Sequence, residues 1–361
     1  MANILKYIKD YGSKTFYEMA FNEVDNLVFS SLSYLDFYGI VSENKEKISI
    51  SKAGEIFFLK YKYKEVEKLG IAQKDAFKIL KEAYLTNRYK DVLIYAYKYI
   101  GDKDKQFSAM TFKVNKKFIY VSYEGTDHLL SGWKEDFELA YKFPIESQKY
   151  AIDYLNKTIG FFDKNIIIGG HSKGGNLALV ASMYAKKSIK KKITKIYSND
   201  GPGLRKNEIE SKEYKSIEEK YIHIIPNYSV VGLLLRHTSN YKVIKSTRKD
   251  LMAHSIMTWQ INNTELVLAD LSDLSKKIDK SVLAWLDKND DKKREKMITT
   301  VFNALENSGV YNLNDLKNIK TAIRVIKNIR NIDKETKELI LDFLKFNIDY
   351  LLHDIKIDIE I

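Results

Sequence analysis

Cysteine is absent from all 361 residues, which excludes disulfides, thiol nucleophiles and cysteine-based metal sites and fits a reducing compartment. No apolar run approaches the length of a transmembrane helix. The stretch Met1 to Tyr17 is broken by Lys6, Lys9, Asp10 and Lys14, so it lacks the apolar core of a secretory signal and a cytoplasmic location is expected. A basic arm is missing too. The formal charge is +12, from 60 Lys and Arg against 48 Asp and Glu, but the lysines are scattered among acidic residues, as on solvated faces. No nucleic-acid motif accompanies them, so nucleic acid is not an expected partner, while contact with a membrane surface stays open. The densest basic group, Lys186 to Lys195, falls where a helix C-terminus and a loop are expected, and cations there suit the helix dipole. What the chain has is apolar mass: 45 % hydrophobic residues is ample for one large domain with an appendage, or for two domains.

The stretch Ile166 to Ala178 reads I-I-I-G-G-H-S-K-G-G-N-L-A. A β-branched run enters a small-residue turn with a serine at its apex, and an alanine- and leucine-rich helical pattern leaves it. Gly170-His171-Ser172-Lys173-Gly174 fits G-x-S-x-G, the nucleophile elbow, in which glycines flank the serine because the strained turn leaves no room for neighbouring Cβ atoms. The motif alone would arise by chance in about one chain in thirty, so the strand before it and the helix after it must carry the inference. A plain Gly-rich turn that cradles a phosphate is the competing reading.

Upstream, residues Phe21 to Val41 read as an amphipathic helix, with Asp25 and Asp36 in capping or solvated-face roles. Ser51 to Gly101 reads as helical. Phe107 to Val114 and Phe118 to Tyr123 form a hairpin pattern, and the second run leads into Glu124-Gly125-Thr126-Asp127. A glycine and a hydroxyl residue just after a strand, ahead of the elbow, suit an oxyanion hole built from a backbone N–H and the Thr126 hydroxyl, with the N–H of Lys173 as second donor. Trp133, in a polar and aromatic segment, is a candidate for lining an acyl pocket or for filling a surface groove. Downstream, strand patterns at Lys195 to Ser198, Tyr221 to Pro226 and Tyr241 to Ser246 alternate with helices. The fold class is therefore α/β, with a mainly parallel sheet and helices on both faces.

A serine hydroxyl needs an adjacent base, almost always an imidazole. Of the six histidines, His171 adjoins the serine and is assigned to packing or hydrogen bonding behind the elbow. His254 follows the last strand candidate, where α/β-hydrolases place the base. Asp200, just after a strand, is the natural acid, with a backbone-bonding turn role as its alternative. Asp250 is close to His254 in sequence. The loop after Tyr221 to Pro226, the commoner place for the acid, offers Asn227 and Ser229 and no carboxylate.

Taken in order, Phe21-Asn22-Glu23-Val24-Asp25-Asn26, Tyr123-Glu124-Gly125-Thr126-Asp127, Gly132-Trp133-Lys134-Glu135-Asp136, Gly170-His171-Ser172-Lys173-Gly174-Gly175-Asn176, Asp200-Gly201-Pro202-Gly203 and His254 to Trp259 resemble the Mbeg-type bacterial α/β-hydrolase family. That family is largely uncharacterised and similar to the class 3 lipases. The resemblance covers about residues 21–260 and implies nucleophile, oxyanion and base roles for Ser172, Thr126 and His254. The lipase acid would fall near Ser229, so either Asp200 replaces it, or a dyad works with serine or water orienting His254, or catalysis has been lost.

Beyond Asn263 the patterns are helical only, over Leu266 to Leu286, Lys296 to Leu305, Leu316 to Ile329 and Lys337 to Leu352. This divides the chain into a hydrolase-like domain over 1–262, with its sheet core at about 105–262, and a helical appendage over 263–361. The last helix suits bundle packing better than a membrane or a cover for the entrance. The expected activity is hydrolysis of carboxylic esters, lipid esters among them, with no metal and no cofactor. The alternative is a non-catalytic hydrolase-like domain that binds an acyl ligand or a protein.

Overall fold

The computed structural model describes residues 2–62, 69–101, 106–116, 118–126, 130–238, 240–311, 315, 318–330 and 332–341. Eight strands form one sheet in chain order: β1 (Ile48–Ser49), β2 (Leu93–Gly101), β3 (Gln106–Lys113), β4 (Ile119–Tyr123), β5 (Ile166–His171), β6 (Ile193–Asn199), β7 (Tyr221–Pro226) and β8 (Tyr241–Ile244). The first four are joined antiparallel; from β4 to β8 every pairing is parallel. Parallel neighbours need crossovers, and helices supply them.

Helices accompany the sheet, among them α1 (Ile4–Tyr11), α2 (Glu23–Leu32), α3 (Ile50–Lys60), α4 (Ile71–Ala83), α5 (Leu130–Glu138), α6 (Glu146–Thr158), α7 (Lys173–Tyr184), α8 (Asp273–Lys288), α9 (Asp291–Glu306) and α10 (Ile319–Arg330). The strand period of two divides the core. Tyr120, Ile167, Tyr197 and Ile224 pack under the N-terminal helices. Ile119, Val121, Ile166, Ile168 and Ile196 point the other way, under α6 and α7. With both faces covered, β4 and β5 are buried throughout, which is why they read as unbroken apolar runs rather than alternating ones. This is an α/β-hydrolase-like sheet with a helical C-terminal region.

Three details differ from the sequence reading. The helical reading of Ser51 to Gly101 fails at β2, whose Tyr95, Ala96 and Tyr97 are buried in the sheet; the sheet thus begins with β1 and β2, well before residue 105. The helix expected over 21–41 is confined to Glu23–Leu32, and it is not amphipathic, since every residue from Val24 to Leu32 is buried. Asp25 does cap it, by accepting from the Asn22 N–H at 3.0 Å, but it is not solvated. It is fully buried against Arg88, 2.5 Å away, and accepts from the Tyr89 hydroxyl at 2.6 Å. Finally, a hairpin of Ile261–Asn262 with Glu265–Leu266 lies across the expected boundary at residue 263, and α8 starts only after the Ser272 cap.

The C-terminal helices share a third core with α5: Leu130, Leu139 and Leu235 pack with Ile278, Val282, Trp285, Met297 and Phe302. Of the last expected helix, residues 334–341 are helical and the rest lies outside the described residues. Among the described residues, no helix is long and apolar enough to cross a membrane.

Candidate active site

At the C-terminal end of β5 the chain reverses through Ser172, whose φ of 58° and ψ of −134° lie in a region that L-residues avoid. Such a conformation costs on the order of 1–3 kcal/mol and persists only where the surroundings enforce it. They do so here. The Ser172 N–H donates to the Asn199 carbonyl at 2.9 Å, and its own carbonyl accepts from the Gly175 N–H at 2.9 Å. A Cβ at Gly170 would stand 2.3 Å from the Gly174 carbonyl oxygen, and one at Gly174 would stand 2.2 Å from that of Tyr123. Both flanking glycines are required by close backbone approach.

His254 ends a 3₁₀ turn, Leu251–His254, capped by Asp250. Its Nδ1 lies 2.6 Å from Asp200 Oδ2. That contact requires the proton on Nδ1 and leaves Nε2 with the basic lone pair. Asp200 is fully buried, and its other oxygen, Oδ1, accepts from the Ser229 hydroxyl at 2.5 Å and from the Gly232 N–H at 3.1 Å. Of the residues considered for the acid position, then, Asp200 touches the imidazole. Asp250 is turned to Arg248 and to its own helical turn. Ser229 stands one step back and donates into Asp200. The loop that carries Asp200 is held by Asn176, whose side-chain N–H donates to the Gly203 and Pro202 carbonyls at 2.7 and 3.2 Å.

His171 sits behind this assembly. Its ring lies 4.4 Å from that of His254, and its Nε2 donates to the His254 carbonyl at 2.8 Å, so its Nδ1 accepts from the Tyr34 hydroxyl at 3.0 Å. Burial, with the neighbouring His254 charge, pushes its pKa down to about 3, so the ring is neutral at ordinary pH.

Of the oxyanion candidates, Thr126 follows β4 and Lys173 opens α7. A Cβ at Gly125 would be 2.5 Å from the His171 carbonyl and 3.0 Å from Ser172 Cβ, so this loop passes directly against the serine. The backbone N–H groups of Thr126 and Lys173 have no main-chain acceptor among the described residues. The Thr126 hydroxyl is otherwise engaged: it donates to Asp136 Oδ2 at 2.5 Å, which corrects the expectation that it serves as an oxyanion donor. Burial pushes the Asp136 carboxyl up to about 6, against the opposing pull of Lys173 and Thr126. The Lys173 side chain is buried and lies 3.2 Å from Glu135 and 3.3 Å from Gln106. Glu135 also accepts from the Ser147 N–H at 3.2 Å. Thus α5 ties together the oxyanion loop, the elbow and the start of α6. Asp127 and His128 lie outside the described residues.

A cavity of about 170 Å³ opens beside His254, lined by Tyr34, Ile71, Ala72, Leu251, Met252 and Ile256 among others. Trp133 is not part of it; it stands on α5, 37 % exposed. A larger cavity, about 420 Å³, lies between Tyr7, Tyr11 and Ile261 to Asn263 and contains neither serine nor imidazole. The structure pairs His254 with Asp200, sets the Gly125–Thr126 loop against Ser172 and leaves Trp133 aside. Reading residues singly missed the clamp of Glu135 and Asp136 and the donor role of Ser229. The Glu135-Asp136 pair inside the Gly132 to Asp136 motif was the available signal.

A family model described as Mbeg1-like matches residues 83–303. Among solved structures, the crystal structure of M37 lipase is similar at 18 % identity and a TM-score of 0.33, over 58 % of this chain and 67 % of that one. No curated protein matches.

Proposed function

We propose that this chain, which belongs to the Mbeg1-like family, is a serine hydrolase of carboxylic esters that works through an acyl-enzyme. The observation that supports this above all is the 2.6 Å contact between His254 Nδ1 and Asp200 Oδ2, made beside a serine in a strained turn. Asp200 fixes the imidazole tautomer and stabilises the imidazolium that forms. His254 Nε2 takes the proton as Ser172 Oγ attacks the ester carbonyl carbon. Charge develops on the carbonyl oxygen, where the N–H groups of Thr126 and Lys173 receive it. When the tetrahedral species collapses, the C–O bond to the alcohol breaks and His254 returns its proton to the leaving oxygen. Water, deprotonated by the same nitrogen, then releases the acid. These steps call for no metal or organic cofactor.

The cavity beside His254 is mainly apolar, with Asp75, Ser31 and Ser255 also in its lining, which suits an acyl chain better than an anionic group, and lipid esters fall within that class. Non-catalytic binding was motivated by the serine at position 229. Asp200 on the imidazole, with Ser229 donating into it, supports the catalytic reading over that one. The test is an ester panel of increasing acyl length, with Ser172→Ala as the blank. The expected outcome is turnover by the wild type and a loss of about 10⁴-fold or more in the variant. Equal rates for the two would sink the mechanism.

A further inference from the structure

At the end of the sheet opposite the serine, the chain between α6 and β5 turns outward through Gly160-Phe161-Phe162-Asp163-Lys164. Phe161 and Phe162 are 87 % and 88 % exposed, more than any other large apolar side chain among the described residues. Their rings stand 5.2 Å apart at 88°. The turn beneath them is pinned: the Gly160 N–H donates to Asp163 at 2.7 Å, and Lys192 donates to the Gly160 and Phe161 carbonyls at 2.8 and 2.7 Å. Two adjacent phenylalanines are therefore held out into solvent by a fixed backbone. Isolated exposed apolar residues are ordinary, but a presented pair is not.

Cations surround the pair. Because β5 and β6 are parallel neighbours, the segment entering β6 lies at the same end of the sheet, and the Ile166 N–H donates to the Lys192 carbonyl at 2.8 Å. Lys186, Lys187 and Lys191 lie in that segment, exposed, and Lys164 follows the phenylalanines in the chain. None of these four forms an ion pair with a described residue, whereas the nearby Lys157 is paired with Asp153.

We propose that this end docks the protein on an anionic lipid bilayer, with Phe161 and Phe162 entering the interfacial layer and Lys164, Lys186, Lys187 and Lys191 meeting lipid phosphates. An exposed aromatic pair with unpaired lysines in the same and the neighbouring turn complements such a surface in both apolar character and charge. Single-stranded nucleic acid fits less well, since stacking on bases needs aromatic faces along a groove rather than an edge-to-face pair at a tip. The orientation has a consequence. β5 is six residues long and Ser172 follows its far end, so docking holds the serine about 20 Å or more from the headgroups. The bilayer is then a tether, not the direct source of substrate.

The test is co-sedimentation of the full chain with phosphatidylglycerol-containing vesicles and with pure phosphatidylcholine vesicles, at low and high salt. Expected are preference for the anionic vesicles, weakening by salt, and a loss of about tenfold or more on combining Phe161→Ser with Phe162→Ser. The pair Lys187→Glu and Lys191→Glu should show a similar loss, with the melting temperatures of both variants unchanged. Absence of binding to anionic vesicles, equal binding to both kinds, or anionic binding that survives the double phenylalanine change would overturn the proposal. Binding of a single-stranded oligonucleotide in place of vesicles, lost in the same variant, would overturn it in favour of nucleic acid.

Discussion

At the scale of single residues, the site turns on how one buried carboxylate is satisfied. Asp200 holds four lone-pair positions and places one oxygen on His254, while the Ser229 hydroxyl and the Gly232 N–H occupy the other. Replacing the carboxylate by an amide removes the acceptor that selects the tautomer, so Asp200→Asn should lower kcat by about 10⁴-fold. Ser229→Ala leaves the Gly232 donor in place and should cost only about tenfold. Steady-state kinetics on the preferred ester of the panel separates the two, and a Ser229→Ala loss as deep as that of Asp200→Asn would mean that Asp200 is not the acid. Ser172 and His254 were legible in the sequence because an elbow needs glycines at fixed neighbours and because a base must follow the last strand. Asp200 was legible as a candidate from its turn. Its preference over Asp250 was not, since that rests on a contact spanning 54 residues that no local pattern encodes.

Among the elements, α5 has the most to do with the proposed oxyanion loop. It places Asp136 on the Thr126 hydroxyl and Glu135 on the Lys173 ammonium, so loop and elbow are braced from one helix. The buried Asp136 carboxyl is raised from 3.8 to about 6. The folded state thus holds this proton more tightly than the unfolded chain does. The stability it adds is full below pH 3.8 and is lost as pH rises through about 6. Asp136→Asn cannot lose a proton, so its melting temperature relative to wild type should climb across that window, and a constant or falling difference would contradict the assignment. The same scale shows where the sequence misled. The segment that holds β2 mixes Tyr and Lys, which resembles mixed helical faces until Tyr95, Ala96 and Tyr97 are seen buried in the sheet. α2 reads as amphipathic because serines fall between its apolar residues, yet its polar side chains are buried and satisfied inside: Ser31 donates to the Leu27 carbonyl at 2.6 Å, and Asn26 donates to Asn199 at 2.8 Å. Polar residues that find partners within the protein cannot be told from solvated ones by periodicity alone.

Taken as a whole, the molecule assembles its site from segments that only the sheet topology brings together, since Ser172, Asp200 and His254 follow β5, β6 and β8. The N-terminal helices are part of that assembly. Asn26 and Ser30 on α2 both bond Asn199 at the end of β6, the residue before Asp200. The C-terminal helices reach the site indirectly, through α5. The Leu130 N–H donates to the Tyr311 carbonyl at 2.9 Å, Lys134 pairs with Glu306 at 3.2 Å, and Phe137 packs on Phe302 at 5.6 Å. The change to helices alone, after the Ser272 cap, is therefore not a break in packing. Parallel strand order and two covered faces were readable from unbroken β-branched runs separated by helical patterns. The bracing of α5 was not, because it depends on apolar residues more than a hundred positions apart. The central claim is that this whole arrangement activates Ser172, and the most direct measurement is fluorophosphonate labelling of the folded full-length protein with the modified residue mapped by mass spectrometry. A single adduct on Ser172, lost on prior unfolding and suppressed in His254→Ala, is the predicted result; no adduct on Ser172, with a control hydrolase labelled alongside, would contradict it.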